Sequence, residues 1–362
     1  MHILFSLWHS IQQSLFPHLE KELDPLTEKE KEFIRVAELA SIDKFLGPYQ
    51  WVGNGRKPSD RKALALAFIA KAVWNFPKTV TLIEHLKASR NTRRLCGWEY
   101  VSSIPSESTF SRAFEEFSEG KLPSLVHEAM IRKCLKDKVV GHISRDATAI
   151  EAREKPVKKP EVEPEPAKRR GRPKKGERSE PKITRMDLQV GRGLQENIME
   201  LPDYCTVGAK RNSKGHQETW IGYKLHIDTA DGDIPISALL TSASLHDSQA
   251  AIPLIQMSSG RVIYLYDLAD AAYDAPHIKG YSRLLGHVPI IDPNKHRKDA
   301  VPLDPAQAVR FMARSSAERV NSNLKDNYGG RFVRVRGAAK VMAHLMFGIV
   351  ALTANQLFRL LG

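Results

Sequence analysis

The sequence predicts an α+β / α/β fold in two parts: an all-helical N-terminal domain, then a mixed sheet flanked by helices. Three observations carry this. Before about residue 135, apolar residues recur at three- and four-residue intervals. From Lys138, apolar runs of strand length alternate with turn signals, and two long helical patterns then close the sequence.

In chain order, Glu28 to Ser41 and Asp60 to Trp74 have helical periodicity, and Pro58 with Ser59 provides a helix start for the second. Around Ile104 to Phe117 a further helix would carry Phe110, Phe114 and Phe117 on one face. The basic segment Ser89 to Arg94 precedes it. The pair fits a helix-turn-helix that places Ser108, Ser111 and Arg112 in a DNA groove, or a plain helical bundle with a wet polar face.

Val139 to Ile150 reads as a strand. Glu154 to about Pro181 is rich in Pro, Lys, Arg and Glu, with almost nothing to bury, as in a disordered insert. Thr219 to Asp228 and Ile234 to Ser242 flank an Asp231-Gly232 turn and form a hairpin. Arg261 to Leu268 is a very apolar strand, His287 to Ile291 a short one, and Asp304 to Tyr328 and Ala338 to Leu361 are helices. The expected domains are therefore 1–135, helical and DNA-binding; 136–153 with 206–362, the sheet domain; and 154–205, a basic Pro-rich insert.

The 55 Lys and Arg against 42 Asp and Glu leave a formal charge of +13. That excess suits a polyanionic partner, although a merely basic soluble protein has the same balance. Cys96, Cys134 and Cys205 are widely spaced and odd in number, which points to a reducing cytoplasm rather than a disulfide framework. The opening MHILFSLWHSIQQSLF has no Lys or Arg before its apolar residues, unlike a secretory signal. Val341 to Ala354 contains His344 and is too short a stretch to span a bilayer.

Helical spacing puts Phe311, Arg314, Glu318 and Lys325 on one narrow stripe, beside an apolar stripe of Val309, Ala313, Ala317, Val320 and Leu324. By periodicity alone, Arg314 and Glu318 equally describe an ordinary exposed i,i+4 salt bridge. The Arg-x3-Glu-x6-Lys spacing, however, resembles the signature of DDE transposases from the bacterial insertion-sequence group with an RNase H-like fold. That signature has a Tyr three residues before the Arg, where this sequence has Phe311. Further likeness lies in Ile143-Ser144-Arg145-Asp146-Ala147-Thr148, in Asp270-Ala271-Ala272-Tyr273-Asp274 after an apolar strand, and in the hairpin from Gly222 to Ser248. Residues 56–117 look like the family's helical N-terminal domain.

The resemblance implies an RNase H-like mixed sheet and a carboxylate triad of Asp146, Asp270 and Glu318 that holds two Mg2+ ions, with Mn2+ as a substitute. It also implies binding of insertion-sequence ends, phosphodiester cleavage, joining of the 3′-OH to target DNA, a homodimer in the synaptic complex and a place at the bacterial nucleoid. Three acids suit that chemistry because carboxylates are hard oxygen ligands for Mg2+, and two such ions serve both ends of an in-line displacement. Asp267, Asp274 and Asp228 are rival acids, with Asp270 preferred to Asp267, which would point to the other face of its strand. Asp247 and Tyr273 are expected at the site's edge, whereas His226 reads as a packing residue.

Arg314 and Lys325 read as phosphate clamps for DNA. In the insert, Lys168 to Gly176 resembles an AT-hook, in which Gly171 lets Arg170 and Arg172 enter a narrow minor groove; a generic basic linker is the plainer alternative. Arg331, Arg334 and Arg336 are either another phosphate contact or a solvated edge. A catalytically silent DNA-binding protein and an endonuclease without strand transfer are the competing functions.

Overall fold

The computed structural model describes residues 2–53, 55, 57–157, 183–211, 215–294 and 301–361. Six strands form one mixed sheet: β1 (Val139–Glu151), β2 (Thr206–Arg211), β3 (Gln217–Ala230), β4 (Ile234–Ser242), β5 (Ile263–Ala269) and β6 (Val288–Ile291). β1 is central, antiparallel to β3 on one side and parallel to β5 on the other, with β6 parallel beyond β5. This is the RNase H-like mixed sheet that the sequence led us to expect.

β3 has two partners on its outer side. Its first half pairs with β2 and its second with β4, the change falling between Gly222 and Tyr223. Gly222 has φ +152°, and a Cβ there would lie 2.1 Å from the Ile150 carbonyl oxygen, so only glycine lets β3 approach β1 at the switch. The β3–β4 turn is Asp231-Gly232-Asp233, with positive φ at Gly232 and Asp233. Asp231 accepts the backbone N–H groups of Gly141 and His142, which fastens the hairpin to the start of β1.

Amphipathicity then assigns the two faces. The N-terminal helices, the long Ala338–Arg359 helix and one sheet face share a single apolar core. Phe110, Phe114 and Phe117 are buried there, as their spacing predicts, around the rings of Phe68 and Phe347. The Ala338–Arg359 helix is 22 residues long and apolar enough to cross a membrane, longer than the Val341 to Ala354 stretch suggested. Its residues are instead mostly buried against protein, as the central helix of this core. The opposite sheet face is covered by the Ala251–Ser259 and Pro276–Leu284 helices.

Within 154–205, two short helices, Arg185–Gly191 and Leu194–Glu200, dock on the Ala251–Ser259 helix. Their contact mixes apolar and polar groups: Met186, Ile198 and Leu201 join apolar clusters that include residues of that helix, and buried Asn197 donates to the Gln189 carbonyl and to Gln256 Oε1, at 3.0 Å each. The Pro-rich stretch and its AT-hook-like motif, with Arg170 and Arg172, lie outside the described residues.

Three histidines are fully enclosed. Burial brings His127 and His344 down to about 3 and His226 to about 4. His226 meets Thr241 Oγ1 at 2.8 Å, which satisfies one ring nitrogen, in keeping with a packing role. These groups stay neutral in the fold but charge in the unfolded chain below its ordinary value, so their stabilisation is present above pH 6.5 and is lost as pH falls toward their folded values. Each contributes up to about 1.4 kcal/mol per pH unit inside that window. His226→Gln, which keeps a donor for Thr241, is expected to flatten the fall in unfolding free energy between pH 6.5 and 4, as measured by urea titration at several pH values.

Candidate active site

The register Arg145↔Ala269 between β1 and β5 brings the next residues, Asp146 and Asp270, side by side at the end of β5. Asp270 caps the Ala271–Tyr273 turn, its Oδ1 accepting the Ala272 N–H at 2.9 Å. Asp146 Oδ2 accepts from Asn321 Nδ2 at 2.9 Å, across from the Ser315–Asn327 helix. Burial, reinforced by the neighbouring Asp270 carboxylate, pushes Asp146 up to about 6. Asp270 is also raised, first by burial and then by Asp247 and Asp292, while Arg314 opposes the shift.

The helix carrying Glu318 runs alongside β1 in the same direction. Ser144 Oγ donates to the Ala313 carbonyl, Asn321 reaches Asp146, and Lys325 is close enough to Glu151 to feel its charge. Arg319 holds Asp233 in a two-pronged ion pair at 2.8 and 2.7 Å, pinning this helix to the β3–β4 turn. The run from Asp304 is not one continuous α-helix. A 3-10 turn, Met312–Arg314, separates Pro305–Phe311 from Ser315–Asn327. At three residues per turn it shifts the phase of the helix. Ala317, Val320 and Leu324 are buried as expected, whereas Val309, expected on the same stripe, is 70% exposed.

Glu318 is turned to Arg314, with Nη2 to Oε1 at 2.5 Å, and its side chain is 57% exposed. Among the described residues, no group of three or more His, Cys, Asp or Glu is arranged to hold a metal ion. The structure thus brings Asp146 and Asp270 together and sets Glu318 one helical turn before Asn321, in Arg314's grip. That guanidinium also lowers the pKa of both aspartates and packs 5.7 Å from the Phe311 ring centre. Arg314 is the cation that touches all three acids electrostatically.

The edge residues are placed as follows. Asp247 accepts from Lys224 Nζ at 2.8 Å. Tyr273 is buried, and its hydroxyl has no hydrogen-bond partner among the described residues. Lys325 lies further along the helix, about 10 Å from Glu318 at 1.5 Å per residue. Its pKa is lowered by burial and then by Lys210 and Arg331. Arg112 is exposed on the Glu107–Glu119 helix. Of the basic segment before it, Arg93 is spent on the carbonyls of Leu86, Lys87 and Glu99, and Arg94 on Glu99.

The rival acids have other partners. Arg145, one residue before Asp146, points to the opposite face, where its Nη2 donates to Asp228 at 2.8 Å and to Asp267 at 3.4 Å. Ser258 donates to Asp228 and Ser282 to Asp267, closing a fully enclosed network. Asp274 pairs with Lys279 at 2.6 Å. Asn321, Lys224 and Asp292 were not singled out in the sequence. Asn321 had a signal, since it lies three residues after Glu318 and so on a neighbouring face of the same helix. The other two depend on long-range register.

Removing the central charge strands two buried carboxylates, so Arg145→Met is expected to destabilise the protein by about 3–5 kcal/mol. Asp270→Asn relieves a repulsion among half-buried carboxylates and should leave the urea midpoint unchanged or higher. Equal losses for both variants would contradict the separation of structural from site acids.

The family described as "Transposase DDE domain" matches residues 142–354, which spans Asp146, Asp270, Glu318 and Lys325. A second, described as "Transposase domain (DUF772)", matches residues 17–116 in the helical layer. Comparison with curated proteins and with solved structures gives no match. With more than half of its length matched, and with the fold and paired aspartates in place, the chain belongs to the DDE transposase domain family.

Proposed function

We propose that this DNA transposase uses Asp146, Asp270 and Glu318 as its catalytic and metal-holding triad, binds insertion-sequence ends, cuts them and joins the 3′-OH to target DNA. The observation that carries the reading is the half-buried Asp146–Asp270 pair, two like charges with the Arg314 guanidinium as a nearby cation. Such a pair favours protonation or a bound cation, and its hard oxygens fit Mg2+ or Mn2+. Divalent ions held there would supply activation of the attacking oxygen and neutralise charge on the leaving one.

The chain's own residues divide the remaining work. Asn321 orients the Asp146 carboxylate, and Asp270 is fixed by its turn. Glu318 completes the set by turning from Arg314 toward the aspartates, which frees Arg314 to meet a DNA phosphate. Lys325 holds phosphate further along the helix. Phe311 supplies the ring of the Tyr-Arg-Glu-Lys subgroup without its hydroxyl.

The proposed domains keep their expected bounds: 1–135 contacts DNA through Arg112, 136–153 with 206–362 performs catalysis, and 154–205 adds a hook in which Arg170 and Arg172 enter the minor groove. Two copies act together in synapsis, in the bacterial cytoplasm at the nucleoid.

Incubation with the element's terminal DNA and Mg2+ tests the reading. Wild type should cut and transfer the strand, whereas Glu318→Gln should bind the DNA with similar affinity and lose cleavage by at least about a hundredfold. Cutting without joining would indicate an endonuclease, and binding without cutting by either protein a silent DNA-binding protein. Lys325→Ala is expected to weaken DNA binding while leaving Mn2+ affinity, read by calorimetry, unchanged; parallel losses would remove its clamp role.

A further inference from the structure

A cleft of about 460 Å3 opens between the helical layer and the loop that leads into the Ala338–Arg359 helix. Lys71, Lys78, Arg153, Arg334, Arg336 and Lys340 line it, with Glu107 the single acid among the described lining residues. Lys340 is paired with Glu115 at 2.6 Å. Lys71, Lys78, Arg153, Arg334 and Arg336 have no carboxylate partner among the described residues. Lys71 is buried, its ammonium 3.4 Å from the His344 Nδ1 ring nitrogen, and burial brings its amine down to about 8. Arg336 donates to the Arg153 carbonyl at 2.9 Å, which fixes the loop against the end of β1.

The position of this charge is informative. Arg153 follows Asp146 by seven residues along and just past β1, a separation of up to about 23 Å at strand rise. Between them, on the parallel helix, lies Lys325, whose ammonium feels Lys210 and Arg331. The basic groups thus continue away from the acids in one direction, instead of forming a single point. The walls Phe68 and Phe114 belong to the helical layer that covers Asp146's side of the sheet. A linear polyanion suits such a track, whereas a small anion would need only one of its stations.

We propose that this cleft is a separate seat for the DNA backbone, holding phosphates about six base pairs from the point of cleavage at 3.4 Å per base pair. The inference rests on the transposase reading and adds a site to it. The helical layer then acts on DNA jointly with the 331–337 loop. Ser111, which the sequence placed in a recognition helix, lines the cleft.

The test uses the full chain with Lys78→Ala/Arg334→Ala, both exposed and outside the proposed catalytic groups. A labelled duplex of about 25 base pairs carrying the element's end is titrated at several KCl concentrations. Losing two phosphate contacts should lower the slope of log affinity against log salt by about 2. Arg334→Lys in place of Arg334→Ala should restore about half of that change. Lys133→Ala/Lys136→Ala, before the other end of β1, should leave the slope unchanged. Neutral methylphosphonates about six base pairs inside the cut should weaken wild type and not the cleft variant. An unchanged slope for the cleft variant, or an equal change in the control, overturns the proposal while leaving wild-type cleavage intact. Absence of duplex binding by wild type would instead overturn the transposase reading itself.

Discussion

The site depends on a charge buried on the far side of the sheet. Arg145 joins β1 to Asp228 on β3 and Asp267 on β5, and so ties together the three strands that define the site's floor. Burial works against the guanidinium's charge, but the two carboxylates outweigh it and hold it ionised. Because side chains alternate along a strand, fixing Arg145 on one face fixes Asp146 on the other. The same network occupies the acids that would otherwise compete for a role in catalysis. Apolar residues of equal volume in place of the whole network would pack as well, but they would not set the register of three strands with comparable specificity.

Much of this was legible in the sequence. The strands, the Asp-Gly hairpin and the two closing helices follow from periodicity and turn chemistry, because each is a local property of the chain. β2 was missed, since Thr206–Arg211 is short and only partly apolar, and is defined by its pairing with the first half of β3. The Arg185–Gly191 and Leu194–Glu200 helices were missed for a related reason: seven residues give too little periodicity, and the polar Gln189 and Asn197 share the anchoring with only a few apolar residues, Met186 and Ile198 among them.

The site was legible unevenly. The choice between Asp267 and Asp270 rested on the family resemblance, with strand alternation in support, and the buried network around Asp267 gives that alternation its physical content. The helical stripe through Phe311, Arg314 and Glu318 was read on an ideal α-helix, and the 3-10 turn at Met312–Arg314 breaks that ideal where the stripe begins. The i,i+4 spacing already described Glu318 as a partner of Arg314, and the structure shows that pair; what spacing does not reveal is how Glu318 stands relative to the aspartates, which depends on the long-range placement of its helix along β1. The cleft was even less visible, since its cations come from segments as distant as Lys78, Arg153 and Arg334.

The shared core has a consequence for how the protein is made. Phe68 and Phe114 pack against Phe347, so the first helices to leave the ribosome wait for a partner synthesised after every strand of the sheet. Contacts of such long sequence separation close late. Until they close, the early helices expose their apolar faces, and a shortened N-terminal product has no complete core to fold around. Premature termination is therefore expected to yield aggregation-prone fragments rather than a free helical domain.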